Sequence, residues 1–259
     1  MKILGTTRRL ALLAGLSAAA VTALPAAGHA AAGATVQVSG ITILYTAGTG
    51  ETNRVSVFSG SGKMTVTDVV PLRAIGPTCR QENPKRVACD LNGITHLSAA
   101  LGDGDDTISV TARLSGRINA GAGNDAYFAG KGPNPTSITY SGGAGADFVV
   151  YGSTAVKASL NGLADDGRPS EGDKDNILTD VEHLTGSSKD DVLIGSSAGN
   201  RIEGGLGADE LHGLAGADTL LAKDSVTTRD LVIDCGDNVD TASVDAIDVP
   251  TSACETVTK

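Results

Sequence analysis

Between Gly186 and Leu221 the chain repeats every nine residues, four times without a gap: GSSKDDVLI, GSSAGNRIE, GGLGADELH and GLAGADTLL. Each unit opens on glycine (Gly186, Gly195, Gly204, Gly213) and places Asp191, Asn200, Asp209 or Asp218 sixth. The eighth position is Leu193, Ile202, Leu211 or Leu220. A fixed short period outranks local propensity, because a unit that cannot bury its apolar face alone must stack on its neighbours. Glycine lets the backbone turn tightly with φ > 0. The last three residues of a unit form a short strand whose middle side chain points to one face. Two units complete one coil, so residues eighteen apart stack at one strand spacing, roughly 4.8 Å. That sets Asp191 beside Asp209 and Asn200 beside Asp218.

Composition agrees with a thin solenoid filled by aliphatic side chains: Gly is 34 of 259 residues, aromatics are 3% and Trp is absent. The formal net charge of −10 disfavours nucleic acid and anionic membrane as partners, which both call for basic patches, and favours cations.

Stacked carboxylates repel by about 3 kcal/mol per pair at ~5 Å and an effective dielectric of 20. A hard divalent cation between the turns reverses that sign. Carboxylates with glycine carbonyls make an all-oxygen site, which suits Ca²⁺ better than the tighter Mg²⁺ octahedron. Looser units precede the strong ones, at Leu101–Ser109 with Asp106, Ala120–Phe128 with Asp125, and Gly142–Val150 with Asp147. A decayed unit spans Ala129–Asn134, and Cys235–Asp240 is a last weak one.

These units resemble the RTX, or haemolysin-type, calcium-binding repeats, most strongly over residues 186–221. The resemblance implies a parallel β-roll with Ca²⁺ between successive turns. It implies Asp191, Asp209 and Asp218 as ligands, with Asn200 weaker, and then Asp106, Asp125, Asp147 and Asp240. The chain departs from the pattern where Ser187 and Ser196 replace glycine at position two, and where Lys189 holds position four. Asn200 removes one charge. The Asp191–Asp209 pair is therefore expected to be the better site, and the Asn200–Asp218 pair weak or empty. The overall arrangement is similar to small secreted calcium-binding proteins of actinobacteria.

The fold class expected is all-β: a parallel β-roll or β-helix solenoid with a β-rich N-terminal part over residues 31–100. Degenerate repeats follow over 101–150, then an acidic insertion over 151–185, then the nonapeptide repeats with a disulfide-tied cap over 186–259. Residues 1–30 read as a secretory leader, with Lys2, Arg8 and Arg9 before an apolar run and cleavage after Ala30. Four cysteines suit an oxidising compartment, paired locally as Cys79–Cys89 and Cys235–Cys254. Arg80–Arg86 reads as a polar loop, and Asp165, Asp166, Glu171, Asp173 and Asp175 as a solvated acidic one.

No catalytic motif survives inspection. Gly195–Gly199 formally matches GxSxG but lies in register inside the repeat, without the strand-turn-helix setting that motif requires. The reading is a secreted, non-catalytic calcium-binding protein. A hydrolase or inhibitor acting through residues 34–100, and an adhesion module stiffened by Ca²⁺, are the alternatives.

Overall fold

Alternating apolar residues at Val36 and Val38, and at Ile43 and Tyr45, make the first hairpin, β1 (Ala34–Ser39) with β2 (Thr42–Thr46), antiparallel and buried on one face. The second hairpin, β3 (Arg54–Gly60) with β4 (Lys63–Thr67), turns at Ser61-Gly62, both with positive φ, the geometry that matches the twist of paired strands. Strand β5 (Leu72–Ile75) lies parallel to β1. The computed structural model describes residues 33–130, 137–152, 154–223, 228–251 and 253–259. The leader, and most of the decayed unit at 129–134, fall outside the described residues.

Residues 80–86 are not a loop. β6 (Cys79–Asn83) and β7 (Arg86–Asp90) form a hairpin in which Cys79 faces Cys89, and the disulfide joins them across the ladder. The polar run misled because β6 is an edge strand: its four residues after Cys79 are exposed, so nothing selects for apolar alternation.

From residue 96 the chain becomes periodic. Each rung is a strand, a turn and a second strand, the turn rich in Gly and Asp in these first three: β8 (His96–Asp103) and β9 (Thr107–Val110), β10 (Ser115–Ala122) and β11 (Ala126–Ala129), β12 (Ser137–Ala144) and β13 (Phe148–Tyr151). A single short strand, β14 (Lys157–Ser159), comes next. Four further rungs follow: β15 (Asn176–Ile177) and β16 (His183–Thr185), β17 (Val192–Ile194) and β18 (Arg201–Glu203), β19 (Glu210–His212) and β20 (Thr219–Ala222), β21 (Val232–Asp234) and β22 (Thr241–Val244). The last strand is β23 (Thr256–Thr258).

Second strands of all rungs join one twelve-stranded sheet, β23-β22-β20-β18-β16-β13-β11-β9-β3-β4-β7-β6. First strands fall into a seven-stranded sheet, β15-β12-β10-β8-β2-β1-β5, and a four-stranded one, β14-β17-β19-β21. Pairing between rungs is parallel, and the register advances eighteen residues in the strong repeats (Val192 opposite Glu210, Arg201 opposite Thr219). Because β2 and β3 pair in parallel with β8 and β9, the N-terminal strands extend the same two sheets.

The eighth-position side chains Leu193, Ile202, Leu211 and Leu220 are fully buried, in one apolar cluster that also holds Val36, Ile43 and Ile118. Tyr127 and Tyr140, from opposite sheets, stack at 5.4 Å inside it. Cys235–Cys254 ties down the tail and places β23 parallel to β22. Among the described residues there is no α-helix, and no helix is long and apolar enough to cross a membrane.

Within 151–185, the acidic loop over 163–175 is only partly solvated. Asp166 and Asp175 are 2% exposed and Asp173 is 9% exposed. Asp166 accepts the main-chain N–H groups of Ser159 and Ile177, Asp175 accepts that of Ile138, and Asp173 pairs with Arg168 at 2.6 Å. Acidity here takes up main-chain N–H groups at the ends of β12, β14 and β15, a use that composition cannot distinguish from solvation. Asp165 is exposed, beside Lys157.

Candidate metal centre

At one edge of the structure the first strand of each rung turns into the second. There the sixth-position side chain folds under its own turn, leaving Asp106, Asp125, Asp147, Asp218 and Asp240 at 0–2% exposure. Turn N–H groups point along the stack but cannot join a strand ladder, so they need another acceptor. The carboxylate of the next rung supplies it. Asn53 N–H donates to Asp106 Oδ1 (2.6 Å), Asp106 N–H to Asp125 Oδ1 (2.8 Å), and Asp125 N–H to Asp147 Oδ1 (2.8 Å). Asp147 N–H continues the row to Glu182 Oε2 (2.9 Å). Further on, Asn200 N–H donates to Asp218 Oδ1, Asp218 N–H to Asp240 Oδ1, and Asp240 N–H to Glu255 Oε2. The opposite edge carries a second row, in which Val156, Asp191, Asp209 and Asp230 donate in turn to Asp191, Asp209, Asp230 and Asp248.

Each hydrogen bond uses one carboxylate oxygen. The other, Oδ2, is buried without a hydrogen-bond partner in Asp106, Asp125, Asp147, Asp218 and Asp240. Such an atom costs the full desolvation of a charged acceptor unless a cation meets it. The carboxyl groups register this. Burial, together with the charge of Asp125, raises Asp106 to about 7 against the pull of the Asn53 N–H. Burial raises Asp147 and Asp218 to about 6, and it also pushes up Asp125 and Asp191.

Glycine keeps the space around these oxygens open. A Cβ on Gly142 would lie 2.5 Å from Asp147 Oδ2, and one on Gly213 would lie 2.6 Å from Asp218 Oδ2. Among the described residues no group of three or more His, Cys, Asp or Glu side chains gathers into a metal cage. Main-chain oxygens must therefore complete any coordination shell. A donor set of carboxylate and carbonyl oxygens, irregular in number, suits Ca²⁺.

The structure brings Asp191 to Asp209 and Asn200 to Asp218, eighteen apart, and lines up Asp106, Asp125 and Asp147 in one run with Asp240 beside Asp218. Four acidic residues in the rows escaped sequence reasoning. Glu182 precedes a strand with buried Leu184 at the usual offset, but its turn has no glycine. One extra residue, exposed Leu231, separates Asp230 from its strand and breaks the period. Asp248 and Glu255 lie past the last recognisable unit.

Leu214, half exposed at position two, has φ +76°. That region costs a side chain with a Cβ roughly 1–2 kcal/mol, partly offset in a substitution by the chain entropy glycine loses. Leu214→Gly is expected to stabilise the protein by about 0.5–1 kcal/mol, measured as a higher midpoint of chemical denaturation.

An all-β protein with stacked acidic turns along both edges is thus defined by its strands and its row of buried carboxylates. A family model described as the RTX calcium-binding nonapeptide repeat matches residues 117–134 and 183–220, in four copies. The chain carries RTX-type calcium-binding repeats, and RTX nonapeptide repeats bind Ca²⁺. No curated protein matches the chain.

Proposed function

We propose that this is a secreted, non-catalytic calcium-binding protein, wound as a parallel β-roll, in which Ca²⁺ lies between successive Gly/Asp turns and is coupled to folding. The observation that carries this reading is the set of buried, unpartnered Oδ2 atoms of Asp106, Asp125, Asp147, Asp218 and Asp240. Bound Ca²⁺ supplies the positive charge these carboxylates lack. The chain's own contribution is orientation: each turn N–H holds one oxygen of the carboxylate of the next rung, which turns the second oxygen toward the space the glycines keep clear. Coupling to folding follows because aligned carboxylates exist only once rungs have stacked. Secretion is supported by the leader-like residues 1–30 and by two disulfides, which persist in oxidising compartments. The non-catalytic reading is supported by the GSSAG turn, where Ser196 is bound to Asn200 rather than to a base.

Calorimetry tests this. At a Ca²⁺ concentration a hundred times Kd, one site stabilises the fold by about 2.7 kcal/mol, or roughly 5–10 °C in Tm for a chain of this size. Adding 10 mM Ca²⁺ to EGTA-treated protein is expected to raise Tm by at least that much and to release or absorb heat on titration. No heat and an unchanged Tm would overturn the proposal.

A further inference from the structure

The acidic turns come in two conformations. In the turns at 101–106, 120–125, 142–147 and 204–209, positions two and four are glycines with φ between +99° and +146°, and the last of these lies against the closed turn at 186–191. The turns at 213–218 and 235–240 keep that shape without a full set of glycines: Leu214 (+76°) with Gly216 (+122°), and Gly236 (+98°) with Asn238 (+92°). A leucine held in the left-handed region is strained, so the surrounding structure imposes the conformation there. The five open turns on the edge where first strands pass into second ones, at 101–106, 120–125, 142–147, 213–218 and 235–240, each end in an aspartate whose Oδ2 is buried and unpartnered.

The two Gly-Ser-Ser turns are built otherwise. Among the described residues, the non-glycine residues with positive φ are Ser61, Leu214 and Asn238, so neither Ser187 nor Lys189, and neither Ser196 nor Ala198, takes the open shape. Their serines close the turn instead. Ser187 N–H donates to Asp191 Oδ2 (2.5 Å) and its hydroxyl to Oδ1 (3.0 Å), while the same hydroxyl oxygen accepts Lys189 N–H (3.1 Å). Val156 N–H adds a further bond to Asp191 Oδ1 (2.7 Å). Ser196 repeats the pattern on Asn200, with its N–H at 2.7 Å and its hydroxyl at 3.1 Å from Oδ1, and accepts Ala198 N–H. Asn200 is neutral and sends its own amide toward the Glu182 carbonyl (3.4 Å).

We propose that Ca²⁺ is taken by the five open turns of the first edge, along the run Asp106–Asp125–Asp147 and by the pair Asp218–Asp240, and that the turns at 186–191 and 195–200 are closed by their own serine and take no ion. The serine N–H and hydroxyl do there, with two hydrogen bonds, what the cation does elsewhere. Asp191 then has no oxygen to share with Asp209, and Asn200 none to share with Asp218. The strongest sequence repeat thus contains the two metal-free turns, and the ions sit on either side of them. This rests on the calcium-binding reading and says which turns carry it.

Isothermal titration of the full chain with CaCl₂, counting bound ions, tests it against two kinds of variant. Asp125→Asn keeps the Oδ1 acceptor but removes the charge, and is expected to lower the count by at least one ion. Asp240→Asn, near the end of the stack, serves the same purpose should the central variant fail to fold. Ser187→Gly with Lys189→Gly gives this turn the Gly-Gly-x-Gly-x-Asp sequence of 204–209 and frees Asp191, so the count is expected to rise by one. A count unchanged or lowered by the double glycine variant, or unchanged by both asparagine variants, overturns the assignment of open and closed turns. A wild-type chain that binds no Ca²⁺ overturns instead the reading beneath it.

Discussion

Alanine at Gly145 is expected to destabilise the protein by about 3 kcal/mol, the sum of a left-handed backbone strain and a main-chain clash. Gly145 has φ +146°, and a Cβ there would lie 1.8 Å from the Gly123 carbonyl oxygen and 2.6 Å from its carbon. Neither atom can rotate away, because both are backbone. Gly123 is no freer, since its own Cβ position is 2.0 Å from the Gly104 oxygen. Relief would require rungs to separate, which would break the Asp125 N–H to Asp147 bond and the Gly123 N–H to Ala144 bond as well. For a chain of this size about 3 kcal/mol corresponds to a fall of roughly 6–12 °C in Tm. Gly60→Ala is the matched control: nothing lies within 4 Å of its Cβ position and its φ is not positive, so a change within about 0.5 kcal/mol is expected. Equal melting temperatures for the two variants would contradict the stacked-turn geometry.

The second large effect is on pH. Asp106 titrates near 7 and Asp147 and Asp218 near 6 in the folded chain, all well above the ordinary 3.8. The folded state therefore holds these protons more tightly than the unfolded state does. The stability they contribute is complete below about pH 4 and is lost as pH rises through 6 and then 7. In EGTA, Tm is expected to fall between pH 5 and pH 8. Ca²⁺ and protons compete for the same carboxylate oxygens, so apparent Ca²⁺ affinity should rise over that window, by up to about tenfold per pH unit for each proton displaced. The gap between melting curves with and without Ca²⁺ should then widen from pH 5 to pH 8. A Tm in EGTA that rises over this range would show that the buried carboxylates are already compensated without metal.

Much of the fold could be read from residue order. The nine-residue period sets the register of the strong rungs, and the apolar eighth positions Leu193, Ile202, Leu211 and Leu220 are all core. Hairpin strands β1 to β4 follow from period-two alternation. Both disulfides follow from the local spacing of four cysteines. These properties are local, since each is decided by a neighbour's size, polarity or distance along the chain.

The candidate site was less legible, for a physical reason. Rows of carboxylates form between rungs separated by 19, 21, 22 and 35 residues as well as 18, so Glu182 and Asp230 belong to them without belonging to any repeat. The acidic loop over 163–175 reads as solvated because charge pattern does not record where a carboxylate finds its N–H donors; Asp166 and Asp175 find them on strands β14, β15 and β12.

The residue order alone determined the period, the inward-facing aliphatic side chains, the acidic turns and the choice of Ca²⁺ as the ion that suits them. Tertiary structure alone decided which carboxylates are spent and which remain open. That depends on the sign of φ at two turn positions and on whether a serine hydroxyl reaches forward four residues, and stacking sets both. Asp191 and Asp125 look alike as sixth residues of a repeat. Only in the folded chain does Ser187 occupy both oxygens of the first, while one oxygen of the second stays buried and unmet.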